Sequence, residues 1–125
     1  MRRLLSVVVS VYNEEEALAQ FYQVTEGILN TISWDYELVF VNDGSRDQSL
    51  SILNHLADSN PKVKVVSFSR NFGHEAAMIA GIDYSQGDGI ICMDADLQHP
   101  PACIPEIIRR FEDGYEVINM VRTKN

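Results

Sequence analysis

Ile90-Ile91-Cys92-Met93-Asp94-Ala95-Asp96-Leu97-Gln98-His99-Pro100-Pro101 is the stretch that decides the fold class. An apolar run of strand length ends abruptly in two aspartates at i and i+2, and two prolines then stop the strand. Residues two apart on a strand point the same way, so Asp94 and Asp96 are expected to project together from its end. Two neighbouring carboxylates repel, and burying them without a counter-charge is costly. A hard divalent cation removes the conflict, because it takes oxygen ligands and binds phosphate oxygens at the same time. The stretch points to a cation and a diphosphate at the mouth of an α/β sheet. An Asp-x-Asp tripeptide is common and alone is better explained as an ordinary solvated acidic turn, so its neighbours must decide.

Upstream, Leu4 to Val11 is rich in β-branched residues and apolar on both faces, as an interior parallel strand requires. Asn13, with Glu16 three residues on, fits a capping box. A helical stripe follows in Leu18, Phe21, Tyr22, Thr25, Ile28, Leu29 and Ile32. Tyr36 to Val41 reads as a second strand, closed by the turn cluster Asn42-Asp43-Gly44-Ser45. A helix carrying Leu50, Leu53, Leu56 and Ala57 breaks near Asn60-Pro61, and Val63 to Phe68 is a third strand. Ser69 to His74 leads into an alanine-rich helix from Glu75 to Tyr84, and Gly87-Asp88-Gly89 turns the chain into the fourth strand, Ile90 to Met93. Downstream, Ile104, Ile107, Ile108 and Phe111 form an apolar stripe, Gly114 supplies a helix stop, and Glu116 to Val121 is a short fifth strand. Strands alternating with helices of about three turns predict an α/β fold, a Rossmann-like, mostly parallel sheet with flanking helices and right-handed crossovers. There is no repeat or interior linker, so residues 1–125 read as one domain.

The 125 residues carry a net charge of −8, which argues against broad electrostatic binding to nucleic acid or an anionic membrane. An anionic ligand would need local cations, which draws attention to Arg46, Arg70 and Arg122. Two cysteines, Cys92 and Cys103, lack zinc-site spacing, and two thiols make no disulfide framework. Cys92 is expected to be a reduced core thiol, which favours a cytoplasmic compartment. No apolar stretch approaches the roughly 20 residues that span a bilayer.

Each polar cluster falls at the C-terminal end of an expected strand: Asn13-Glu14, Asp43-Gly44-Ser45, Arg70-Asn71, Asp94-x-Asp96 and Arg122. Ligands of open parallel sheets bind at that edge. Helix caps would account for Asn13 and Ser45 without any ligand, but not for paired aspartates together with arginines. The glycine pattern narrows the choice. A dinucleotide fold wants Gly-x-Gly-x-x-Gly after its first strand and a P-loop wants a glycine-rich run ending in Lys-Ser/Thr, whereas this chain has Tyr12-Asn13-Glu14-Glu15.

Val8-Val9-Ser10-Val11-Tyr12-Asn13-Glu14-Glu15, Val41-Asn42-Asp43-Gly44-Ser45-Arg46-Asp47 and Met93-Asp94-Ala95-Asp96-Leu97-Gln98-His99-Pro100-Pro101 resemble, in order, family 2 glycosyltransferases of the GT-A fold. Asn71-Phe72-Gly73 and Asp96 to Pro101 resemble, more narrowly, the polyprenyl-phosphate (dolichyl- or undecaprenyl-phosphate) sugar transferases. The resemblance implies a nucleotide-diphospho-sugar donor, UDP-linked by preference, and a lipid-phosphate or glycan acceptor. It puts Tyr12 and Glu14 beside the nucleoside, Asp43 on the base, and Asp94 by the ribose and the metal. Asp96 becomes the firmest ligand for Mg²⁺ or Mn²⁺, Gln98 faces the donor sugar or diphosphate, and Arg70 and Arg122 lie near the diphosphate or acceptor. Val11, Gly73 and Ala95 complete the donor-contacting set, and Asp94 and Asp96 are the catalytic pair.

Two departures stand out: Ser10 where relatives often have proline, and His74 where they often have lysine. His74 reads equally as a surface residue at a helix start or as a ligand, and His99 as a structural loop residue. The resemblance also implies that relatives continue past residue 125 into acceptor residues and often membrane helices. The chain is therefore expected to be the N-terminal, donor-binding part, at the cytoplasmic face of a membrane in the full-length protein, largely inactive alone. Rival classes are a metal-dependent nucleotidyltransferase, which would carry a glycine-rich basic loop after the first strand, a phospho-acceptor receiver module, and a non-catalytic nucleotide-binding domain.

Overall fold

The computed structural model describes residues 3–95, 101–112 and 117–119. Strand β1 (Leu4–Val11) leads to α1 (Leu18–Leu29), β2 (Asp35–Asn42), α2 (Ser49–Ser59) and β3 (Val63–Ser67). Then come α3 (His74–Tyr84), β4 (Gly89–Asp94), a 3₁₀ turn (Pro101–Cys103), α4 (Ile104–Glu112) and β5 (Val117–Asn119). The five strands form one sheet in the order β3-β2-β1-β4-β5, and all four pairings are parallel. The chain winds outward from β1 to β3, then returns to the other side of β1 for β4. That reversal makes the β1/β4 seam the topological switch point.

Alternation along the strands sorts the core into two layers. Leu5, Val7, Val9 and Val11 of β1 pack with Leu38 and Phe40 of β2 and Ile91 and Met93 of β4 on one face, under Leu18, Phe21 and Leu29 of α1 and Ile104, Ile107 and Phe111 of α4. Val8, Val39, Val41 and Cys92 point to the opposite face, where Ala77 of α3 meets them. Helix α3 comes in close because it has a glycine at the contact: a Cβ on Gly81 would stand 2.3 Å from Val8 Cγ1. Asp94 shares its parity with Cys92, so it leaves the sheet on the α3 side.

The helix starts differ from the capping-box expectation. The N-cap of α1 is Ala17, with no side-chain cap, and residues 14–17 form a lead-in turn in which Ala17 N–H and Leu18 N–H donate to the Glu14 carbonyl. Asn13 instead adopts a left-handed backbone (φ 53°), a region asparagine tolerates better than most residues. Its Oδ1 accepts from Arg46 N–H at 2.8 Å and its N–H donates to Ser45 Oγ at 3.0 Å. Ser45 is likewise no helix cap, since α2 begins at Ser49 after Gln48. The proposed helix stop at Gly114 lies outside the described residues.

Cys92 is buried, as expected of a core thiol, and Cys103 is exposed; both are free. Burial pushes the Cys92 thiol up to about 11.

Candidate active site

At the C-terminal edge of the sheet, an open cleft of about 260 Å³ straddles the switch point. Ser10, Tyr12 and Glu14 reach it from the end of β1, and Asp43 from the end of β2. Asn71, Gly73 and His74 line it from the β3–α3 loop and the start of α3, and Asp94 from the end of β4. Of the residues expected at a donor site, Tyr12, Glu14, Asp43, Gly73 and Asp94 thus meet in one place. Asp96, Gln98 and Arg122 lie outside the described residues.

Two turns are stitched together to form one wall. Glu14 N–H donates to Ser49 Oγ at 2.9 Å, Glu15 N–H to Asp47 Oδ2 at 3.1 Å, and Gln48 N–H returns to Glu15 Oε1 at 2.8 Å. With the Asn13–Ser45 and Asn13–Arg46 bonds, these occupy nearly every polar residue of both motifs. Asn13, Glu15, Ser45 and Asp47 therefore hold the loops, and Tyr12 and Glu14 line the cleft. Partial burial pushes the Asp47 carboxyl up, but hydrogen bonds from the Ser49 side chain and from the Ser49 and Glu15 N–H groups outweigh it. Its pKa is held below the usual carboxylate value.

Asp43 organises the opposite wall. It is almost fully buried, at 2% exposure, yet lines the cleft. Its Oδ1 accepts from Phe72 N–H at 2.8 Å, and its Oδ2 from Gly73 N–H at 3.1 Å and Asn71 Nδ2 at 3.2 Å. Gly73 N–H also reaches Oδ1 at 3.3 Å, so each carboxylate oxygen takes two bonds from one loop and Asp43 serves first to hold that loop. The loop can approach this closely because Gly44 has no side chain and takes φ +70°.

Across the cleft, His74 Nε2 lies 2.7 Å from Asp94 Oδ1. The contact follows from topology: Asp94 emerges on the α3 face, and His74 is the first residue of α3. Ser10 pairs with Asp94 in the β1/β4 register.

Three expected donor contacts sit elsewhere. Val11 and Ala95 are fully buried core side chains, so only their backbone faces remain for a ligand, and the Val11 carbonyl already accepts from Asp43 N–H at 2.8 Å. Arg70 does not line the cleft; its guanidinium stacks over the Phe72 ring, 4.7 Å from the centroid. Conversely, Ser10 and Asn71 line the cleft although neither was expected as a donor contact, and His74, left open between surface residue and ligand, lines it too. The usable signal for Ser10 was its place at the end of the central strand, directly beside the Asp94 strand.

Among the described residues the cleft carries three carboxylates, Glu14, Asp43 and Asp94. A phosphate about 4 Å from one carboxylate is opposed by roughly 4 kcal/mol at an effective dielectric near 20, so a diphosphate here needs a cation. The donor set fits one, since carboxylate oxygens suit hard divalent ions. Among the described residues no cluster of three or more His, Cys, Asp or Glu converges on one point. Such an ion would thus complete its shell from ligand and water.

This fold is the GT-A arrangement of glycosyltransferases, shared with solved neighbours. The chain belongs to glycosyl transferase family 2, whose model matches residues 6–125. Uncharacterized glycosyltransferase YkcC of Bacillus subtilis (strain 168) is 50% identical over 119 residues, which is 95% of this chain and 37% of that protein. A prophage bactoprenol glucosyl transferase homolog of Escherichia coli (strain K12) is 46% identical over 114 residues, 91% of this chain and again 37% of the relative. The chain thus spans little more than a third of the curated relatives it matches. S. aureus TarS 1-349 in complex with UDP-GlcNAc superposes with a TM-score of 0.65 at 24% identity, over 77% of this chain and 27% of TarS. The mannosyltransferase PcManGT from Pyrobaculum calidifontis, in complex with GDP-Man and Mn²⁺, gives 0.67 at 21% identity, over 77% and 28%. Among the described residues no helix is long and apolar enough to cross a membrane.

Proposed function

We propose that the cleft is the donor site of an inverting glycosyltransferase that takes a nucleotide-diphospho-sugar, UDP-linked by preference, and passes the sugar to a polyprenyl phosphate. Residues 1–125 form the donor-binding part of that enzyme. The observation that carries the reading is the convergence of Tyr12, Asp43 and Asp94, from the ends of three strands, on one cleft at the switch point. Tyr12 is 44% exposed and offers an aromatic ring to a base or ribose. Asp43 lines the cleft where a base would lie, in the wall it organises. Asp94 and Asp96 would hold Mg²⁺ or Mn²⁺, and the Mn²⁺ complex of the PcManGT neighbour supports such an ion.

When bound, the ion supplies Lewis-acid stabilisation of charge on the leaving diphosphate. The chain's own residues orient the donor: the stitched turns hold Tyr12 and Glu14, and Asp43 fixes the loop that carries Gly73. An acceptor hydroxyl would need a general base within hydrogen-bond reach, whereas a polyprenyl phosphate is already anionic and needs none. The bactoprenol glucosyl transferase name of a 46%-identical relative supports this acceptor class. It also supports a membrane-associated role in cell-envelope or glycan synthesis.

Residues 1–125 bind donor and transfer little or no sugar alone. Radiolabelled UDP-glucose incubated with polyprenyl phosphate and this chain should yield no labelled lipid. A full-length relative serves as the positive control. Measurable turnover by the 125 residues would overturn that division of labour.

A further inference from the structure

We propose that His74 is a positioning residue for Asp94, fixing the carboxylate so that the cation meets it in one orientation. The inference rests on the reading of the cleft as a metal-assisted donor site. An ionised carboxylate only accepts hydrogen bonds, so the Nε2 that lies 2.7 Å from Asp94 Oδ1 carries the ring proton. A charge-accepting bond of this length is among the stronger kinds. It occupies one of the lone-pair sites on Oδ1 and limits rotation about the Asp94 side chain.

The backbone that leads into His74 is itself held from the end of β2. Asp43 accepts from Gly73 N–H, and Gly73 (φ 105°) immediately precedes His74, so the end of β2 sets where α3 begins. A hydrogen-bonded path thus runs from Asp43 through the loop to His74 and on to Asp94, spanning the cleft. The His74 side chain is 61% exposed and that of Asp94 18% exposed. The ring can therefore be replaced without opening the core, and the carboxylate stays within reach of a ligand. Hydrogen-bond partners of ligating carboxylates matter by about 10–100-fold in metal affinity when removed.

The test is Mn²⁺ titration of the 125-residue chain with UDP present, following the free-ion signal by electron paramagnetic resonance. His74→Ala should weaken Mn²⁺ retention about 10–100-fold, and His74→Gln, which keeps an N–H donor, should recover most of it. Asp94→Asn should abolish it. An unchanged or tighter Mn²⁺ affinity in His74→Ala overturns the proposal while leaving the donor site intact. Strong ¹⁴N coupling to bound Mn²⁺ in the wild type, lost in His74→Ala, also overturns it, because the imidazole would then be a ligand. Failure of the wild type to retain Mn²⁺ with UDP brings down the metal-assisted reading itself, and this inference with it. Ring ¹⁵N shifts then report separately whether the His74–Asp94 bond exists: an Nε2–H tautomer that is lost in Asp94→Asn marks it.

Discussion

Gly44 and Arg70 touch through their backbones: a Cβ on Gly44 would lie 2.2 Å from the Arg70 carbonyl carbon and 2.3 Å from Asn71 N. This contact brings the end of β2 against the loop after β3. It lets the Asp43 carboxylate reach the N–H groups of Phe72 and Gly73. The Asn-Asp-Gly-Ser motif is therefore a piece of packing as much as a piece of chemistry.

Gly44→Ala combines a left-handed backbone with a clash against main-chain atoms, which cannot swing aside. It should destabilise the chain by roughly 2–4 kcal/mol, read as a lower urea midpoint. Gly27→Ala is the control. Gly27 sits in the interior of α1 with nothing within 4 Å of an added Cβ, so the change should stabilise by roughly 0.5–1 kcal/mol.

Asp43→Ala removes the acceptor from two backbone N–H groups in a buried setting. Such losses cost about 1–3 kcal/mol. The variant should be less stable by that order, and the Phe72 and Gly73 amides should exchange with deuterium faster while the central strand amides keep their protection. Unchanged exchange at those two amides would show that the loop holds itself.

The fold was legible because its signals are local and redundant. Apolar runs with β-branched residues marked all five strands, and β4 differs from its expected span only by Gly89 and Asp94. The helix starts were misread for a physical reason. Asn13 and Ser45 have the chemistry of caps, but two turns adjacent only in space offered each of them a partner 32 or 33 residues away. Sequence spacing cannot see that competition. The same limit applies to His74, whose partner Asp94 is 20 residues on. The contact depends on the parity that turns Asp94 toward α3, and on the close approach at Gly81.

The stitched turns should loosen in acid. The Asp47 carboxyl is held below its unfolded value by hydrogen bonds that prevail over partial burial. Its contribution is therefore fully present above the unfolded value near 4, and it is lost as pH falls through the lower folded value. The difference in urea midpoint between wild type and Asp47→Asn should be constant from pH 7 to 5 and close below about pH 4. A gap that persists at pH 2 would contradict the assignment.

The two cysteines should label very differently. Cys103 is exposed, whereas Cys92 is buried with its thiol pushed up to about 11. Iodoacetamide at pH 7.5 should add one carbamidomethyl group, located by mass spectrometry on Cys103. Cys92 should react only after urea unfolds the chain.

Isothermal titration with UDP, with and without Mn²⁺, on the wild type and on Asp94→Ala and Asp96→Ala tests the donor site most directly. GDP and NAD serve as controls. Metal-dependent UDP binding that both substitutions abolish is the expected result; a GDP preference would keep the site and change the donor. Nucleotide binding that is indifferent to Mn²⁺ and to both aspartates, in protein shown to be folded, would contradict it.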